Sequence, residues 1–167
     1  ERKKAKERAG IDDDIRKYIP ELNDFDQTLK ISHLLHHTSG LRDWPGTLCL
    51  SGWSMDDVIS YDQIIEMAFN QKGLNFEPGS EHLYSNTGYV LLAELVQRVT
   101  GESFQNYVES NILEPLEMND SFYRDDHTAL IPGKAYGYSH GKDGTFRAVP
   151  DNLVMIGPSG LYSTLED

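Results

Sequence analysis

The sequence predicts a mainly α protein with a few short strands, an α+β class in which helices carry most of the core. Three observations lead to this prediction. Apolar residues recur at spacings of three and four in two long segments, capping residues stand before those segments and glycines after them, and the last third of the chain is instead rich in tyrosine and glycine. The length of 167 residues suits one domain.

The first elements are short. Residues 12–18 predict a helix capped by aspartates and ended by Pro20. Residues 31–37 predict the next helix, with Gly40 as the residue that ends it. Proline and glycines make residues 41–53 a predicted loop.

Three longer helices follow. The first is predicted from Ser54 to near Gly73, with apolar residues at helical spacing: Met55, Val58, Ile59, Ile65, Ala68 and Phe69. The second follows Asn86 and closes at Gly101, and the third is capped by Ser103 and ends before Pro115.

The end of the chain has a different pattern. Residues 121–123 and 135–139 predict two short strands between glycines. Ser163-Thr164-Leu165-Glu166 has the capping-box form that announces a helix, one residue before the sequence stops. We therefore expect the chain to be a fragment of a larger protein.

Charge excludes one class of partner. The net charge is -12, although the first ten residues hold five basic and two acidic side chains. We interpret residues 1–10 as a basic head, either a linker or the remnant of a preceding helix. The remaining 10 basic and 25 acidic residues would repel phosphate backbones, so we expect no nucleic-acid partner.

Hydropathy and cysteine content bear on membrane insertion, disulfides and metal binding. No apolar run approaches the ~20 residues of a membrane span, so no span is predicted in this segment. The single Cys49 excludes an internal disulfide and any multi-cysteine metal site, but it does not identify the compartment.

The stretch Ser80-Glu81-His82-Leu83-Tyr84-Ser85-Asn86 places two hydrogen-bonding side chains before an apolar helix. A tyrosine phenol has an unperturbed pKa of about 10, so it takes a proton near neutral pH only where cations stabilise the phenolate. An asparagine amide can orient a carbonyl or a lysine. The alternative interpretation is structural, with Tyr84 as a packing residue and Asn86 as the helix N-cap.

Other polar and aromatic residues have weaker patterns. His33, His36 and His37 share a predicted helix, but no glutamate separates them in the zincin pattern and no third ligand is evident. We predict no metal site, and we expect His37 to hydrogen-bond the turn that ends its helix. Trp44 and Trp53 either line a cleft or seal the core.

Several segments, in order, resemble the serine β-lactamase-like family of class C β-lactamases, D-alanyl-D-alanine carboxypeptidases and related esterases. The segments are "DDDIRKYIPEL", "LLHHTSGL", "FEPGSEHLYSNTGYVLLAELVQRVTG", "LEPLEMNDSFY" and "GPSGLYSTLED". Together they run from Asp12 to Asp167. By this resemblance, residues 11–167 would form the helical subdomain of a β-lactamase/transpeptidase-like fold.

The resemblance implies roles for Tyr84 and Asn86. Tyr84-Ser85-Asn86 matches the family's Tyr-x-Asn motif, in which Tyr84 would be the catalytic general base or acid and Asn86 would contact the substrate amide and a catalytic lysine. The implied activity is hydrolysis of β-lactams, D-alanyl peptides or esters through an acyl-enzyme, without metal or organic cofactor. The implied partners are that substrate and the missing sheet domain of the same protein, and the implied location is exported.

The sequence also departs from the family. The nucleophile motif Ser-x-x-Lys is not found before residue 12, and the third motif of the family is also missing. Ser139-His140-Gly141-Lys142 has the spacing but stands among glycines, outside a helix. We therefore expect the chain alone to be inactive. The alternative function is a non-catalytic helical module that binds a protein or a peptidoglycan-like ligand.

Overall fold

The computed structural model describes residues 8–54, 56–124 and 126–167. Most of the predicted basic head and Met55 lie outside this part. Its helices are α1 (Ile31–Leu35), α2 (Trp44–Leu50), α3 (Tyr61–Asn70), α4 (Asn86–Thr100) and α5 (Phe104–Val108), and its strands are β1 (Phe122–Tyr123), β2 (Tyr138–His140), β3 (Phe146–Ala148) and β4 (Leu161–Tyr162). The predicted class, mainly α with a few short strands, is confirmed.

The capping signals placed the later helices well. α4 ends at Gly101, which has a left-handed φ of 76°, and the Ser103 hydroxyl caps α5. The helical path then continues through a π-helical turn, Glu109–Leu113, and a 3-10 turn, Glu114–Leu116. Pro115 therefore lies inside the helical stretch. A proline is tolerated at the start of a new turn, because the N–H that it lacks would have no acceptor within that turn.

The helix predicted from Ser54 begins later, at Tyr61. Ile59 instead forms a bridge with the distant Leu153 segment, through Ile59 N–H to the Asn152 carbonyl at 3.3 Å and Val154 N–H to the Ile59 carbonyl at 3.1 Å. A long-range backbone pairing thus overrides the local helical spacing. Ser60 then caps α3 in a capping box.

Three predictions for the first half were wrong in detail. Residues 41–53 are not all loop, because α2 occupies Trp44–Leu50 with its proline in the first turn, where proline is tolerated. α1 ends at Leu35 and not near Gly40, since His37 already takes a left-handed φ of 56°. The predicted helix over 12–18 is a single 3-10 turn, Ile15–Lys17, capped by Asp14.

Two apolar clusters form the core, and α4 belongs to both. Buried residues of the first cluster are Ile15, Ile19, Leu22, Leu29, Ile31, Leu34, Leu41, Ala68, Leu91 and Leu95. Those of the second are Trp44, Leu48, Ile59, Ile64, Val90 and Met155. Trp44 is thus a core residue, whereas Trp53 is 37% exposed. Burial on two sides holds α4 in place, so its N-terminus is a fixed platform.

The strands form two small antiparallel pairs, β1 with β4 and β2 with β3. Phe122 lies opposite Tyr162 in the first pair, and Ser139 lies opposite Arg147 in the second. Residues 163–167 form no helix, and the Ser163 hydroxyl instead lies 2.8 Å from that of Ser121. None of the described helices is both long and apolar enough to cross a membrane.

Candidate active site

Tyr84 and Asn86 meet at the N-terminus of α4. Ser85 is the N-cap and Asn86 is the first helical residue, so the interpretation of Asn86 as N-cap is wrong. The Tyr84 hydroxyl donates to Asn86 Oδ1 at 3.1 Å. Tyr84 is 55% exposed, which is high for a packing residue.

Asp43 binds Asn86 at three points. Its Oδ1 accepts the Asn86 backbone N–H at 2.7 Å, and the Asn86 side-chain Nδ2 lies 3.0 Å from Oδ1 and 3.2 Å from Oδ2. The carboxylate also stands at the positive end of the α4 dipole, a favourable place for negative charge. Asp43 is the residue before α2, so it joins the starts of two helices.

Neighbouring residues extend this connection. Thr87, which is buried, accepts the Trp44 N–H at 3.0 Å and donates its hydroxyl to the Arg42 carbonyl at 2.8 Å. The three residues 42–44 are therefore hydrogen-bonded to the first two residues of α4, and the site rests on backbone as well as side-chain contacts.

His37 supports the other side of the motif. Its backbone carbonyl accepts the Leu83 N–H at 3.0 Å, and its Nδ1 accepts the Ser85 N–H at 3.3 Å. The His37 ring lies 4.5 Å from the Tyr84 ring and 5.2 Å from the Tyr89 ring. As expected, His37 hydrogen-bonds the turn that ends its helix, through its backbone N–H to the Leu34 carbonyl at 3.3 Å, whereas the partner of its imidazole is 48 residues away.

The other two histidines of the α1 segment, His33 and His36, make no hydrogen bond to Tyr84, Ser85 or Asn86 among those of the described residues. His33 Nδ1 faces the Lys30 N–H at 3.4 Å, and burial lowers the pKa of His33. His36 is exposed. Across residues 8–54, 56–124 and 126–167 there is no group of three His, Cys, Asp or Glu side chains placed to hold a metal ion.

Ser139 and Lys142 lack the geometry of a nucleophile pair. Ser139 is on strand β2, and Gly141 begins the turn to β3. The one-turn spacing that brings a lysine beside a serine exists only on a helix. The Ser139 hydroxyl is also oriented toward the Arg147 carbonyl, 3.4 Å away across the hairpin.

Sequence reasoning missed Asp43 and the role of His37. An aspartate followed by Trp-Pro is a local signal for a helix start, which would have found α2. No local signal pairs Asp43 with a residue 43 positions later.

Comparison with known proteins identifies the family of the chain. The profile of the Beta-lactamase family matches residues 3–167. The chain belongs to the beta-lactamase family. This confirms the resemblance that was inferred from the five quoted segments of the sequence.

Two curated proteins and one solved structure illustrate what this chain is similar to. Penicillin-binding protein 4* of Bacillus subtilis (strain 168) is 33% identical over 86% of this chain and 32% of its own length. A D-aminopeptidase of Gluconobacter oxydans (strain 621H) is 26% identical over 94% of this chain and 29% of its own. The octameric penicillin-binding protein homologue from Pyrococcus abyssi has a TM-score of 0.79 and 28% identity over 94% of this chain and 37% of its own. The chain spans about a third of the length of these curated relatives.

Proposed function

We propose that this chain supplies the Tyr-x-Asn side of the active site of a serine hydrolase that forms an acyl-enzyme on D-amino acid amides or peptides. β-Lactams and simple esters are further acyl donors of the same chemistry. The observation that carries the proposal is the position of Tyr84, a half-exposed residue whose hydroxyl lies 3.1 Å from the Asn86 amide oxygen at the N-terminus of α4. The names of the relatives, penicillin-binding protein and D-aminopeptidase, support this substrate class.

The proposed steps assign proton transfer to Tyr84. A serine hydroxyl attacks the substrate carbonyl and loses its proton to Tyr84 as phenolate or to a lysine beside it. The C–N bond then breaks as the protonated group returns a proton to the leaving amine. Water attacks the acyl-enzyme in the same way and restores the serine. Asn86 holds the substrate amide and the lysine.

The serine and lysine are proposed to lie in a sheet domain outside these 167 residues. Two observations support this. No Ser-x-x-Lys precedes the Tyr84 motif, and the chain matches about a third of its curated relatives. The partner of the helical subdomain is then the sheet domain of the same protein, here called the complete protein, and its proposed location is exported. The proposal needs no metal or organic cofactor.

Intact-mass spectrometry tests the proposal. The complete protein and the 167-residue chain are each incubated with a fluorophosphonate and with a penicillin. We expect a covalent adduct on a serine of the complete protein and none on the chain, which should also leave nitrocefin intact. An adduct on the chain that Ser139→Ala removes would contradict the assignment of the nucleophile. A folded complete protein without any adduct would instead favour a non-catalytic binding module.

A further inference from the structure

The carboxylate of Asp43 does more than cap a helix. A cap for α4 needs only one acceptor for the Asn86 backbone N–H, which Oδ1 provides at 2.7 Å. The same carboxylate also faces the Asn86 side-chain nitrogen with both oxygens, at 3.0 and 3.2 Å. The second set of contacts has no role in capping.

We propose that Asp43 is a positioning residue that selects the rotamer of Asn86 with its amide oxygen toward Tyr84. This inference rests on the proposed function, because it concerns the same site.

The selection follows from hydrogen-bond chemistry. An ionised carboxylate only accepts hydrogen bonds, whereas an amide has a donor end and an acceptor end. If the Asn86 amide turned over, its oxygen would face the carboxylate of Asp43, and two acceptors would repel each other. Its NH₂ would also face the Tyr84 hydroxyl. The observed orientation is thus the one that the charge on Asp43 favours.

The consequence concerns the phenol. With Oδ1 as its acceptor, the neutral Tyr84 hydroxyl points its hydrogen at Asn86 and leaves its lone pairs free to accept a hydrogen bond from the serine hydroxyl or the lysine. In this neutral form of the phenol, the lysine takes the serine proton. With an NH₂ group in that place, the phenol oxygen would become an acceptor and one lone pair would be occupied. Asp43 contacts neither Tyr84 nor the reacting atoms in this scheme and acts through Asn86.

Asp43→Asn separates positioning from capping. The new amide keeps an oxygen for the Asn86 backbone N–H, so the cap remains, but it no longer discriminates between the two ends of the Asn86 amide. The matched control is Asp143→Asn, since Asp143 also accepts one backbone N–H and one side-chain hydrogen, both from Thr145 in the β2–β3 turn.

A swapped pair provides the complementary test. Asn86→Asp alone places two carboxylates together. Combining it with Asp43→Asn restores one donor and one acceptor, because the amide at position 43 can accept the backbone N–H of residue 86 and donate to the new carboxylate. That carboxylate still offers an acceptor to the Tyr84 hydroxyl.

The experiment measures acylation of the complete protein by a chromogenic ester, with kcat and KM separated and thermal midpoints recorded. We expect Asp43→Asn to lower kcat about tenfold with little change in KM, as a misplaced catalytic group does. Asp143→Asn should leave both unchanged, and the swapped pair should recover about tenfold over Asn86→Asp alone.

Two results would overturn the inference. One is a kcat for Asp43→Asn equal to that of Asp143→Asn while Tyr84→Phe is inactive. That result would support the proposed function but would reduce Asp43 to a helix cap. The other is a swapped pair that folds but has a kcat no higher than that of Asn86→Asp. This second result decides the question if Asp43→Asn does not fold. An unaltered protein that forms no adduct would instead refute the proposed function itself.

Discussion

The imidazole of His37 lies 4.5 Å from the Tyr84 ring, and its Nδ1 accepts the N–H of Ser85. One side chain therefore contacts the first residue of the Tyr-x-Asn motif through its ring and the second through its nitrogen. Since the His37 carbonyl also accepts the Leu83 N–H, the segment entering α4 is bound at alternate residues. Tyr84, which lies between these two bound residues, is 55% exposed.

Replacing His37 by phenylalanine should destabilise the protein while keeping an aromatic ring beside Tyr84. The Ser85 N–H, in a residue that is 1% exposed, would lose its acceptor, at a cost of about 1–3 kcal/mol. Urea unfolding measures the loss. The control is the exposed neighbour, His36→Phe, which should unfold at an unchanged midpoint. Equal midpoints for the two variants would show that the Ser85 bond contributes nothing.

Replacing Tyr84 by phenylalanine should reduce catalysis without unfolding the protein. The only hydrogen bond of its hydroxyl among the described residues goes to Asn86. We expect the acylation rate of the complete protein to fall by about 100-fold or more, the usual contribution of general acid–base catalysis. Tyr89→Phe is the control, because Tyr89 packs on the same imidazole but donates to the Leu35 carbonyl. Acylation slowed equally in both variants would contradict the role of Tyr84.

Replacing Gly40 by alanine should be far more costly than the same change at Gly52. Both have a left-handed φ, of 73° and 92°, but a Cβ at Gly40 would lie 2.3 Å from the Phe76 carbonyl oxygen, whereas nothing lies within 4 Å at Gly52. Gly52→Ala should cost about 1–2 kcal/mol from the left-handed backbone alone. Gly40→Ala should exceed that and displace the residues that lead to Asp43. Thermal unfolding midpoints compare the two, and similar losses would show that the Phe76 contact relaxes freely.

Stability below pH 4 should depend on Asp151. Burial raises its pKa, but hydrogen bonds from Lys134 and Tyr162 and the charge of Arg124 outweigh burial, so the pKa falls below its usual range. A lowered folded-state pKa stabilises the protein above the unfolded value, about 3.9, and this contribution is lost as pH falls through the folded value.

Asp151→Asn should therefore reduce stability at pH 6 and flatten the decline in stability as the pH falls below about 4. Urea midpoints across this range measure the effect. Glu66→Gln, at an exposed position in α3, is the control and should retain the decline of the unaltered protein. A decline that Asp151→Asn leaves unchanged would assign it to other carboxylates.

Local signals were sufficient for much of the fold. The helical spacing and the Gly101 end of α4 were predicted correctly because a left-handed glycine and a regular apolar stripe are properties of adjacent residues. The start of α3 was predicted too early because Ile59 pairs with the Leu153 segment. A backbone pairing over that separation has no signature in a local window.

The features of the site divide in the same way into those set by local sequence and those set by long-range contacts. By itself the sequence determined the helical class, the family resemblance and the Tyr84-Ser85-Asn86 motif, since these depend on residue types and short spacings. Only the tertiary structure decided that Asp43 binds Asn86 and that His37 binds Ser85. Those contacts depend on how α1, α2 and α4 pack around two shared cores. Packing fixes which distant side chains meet, and it is a property of the whole chain.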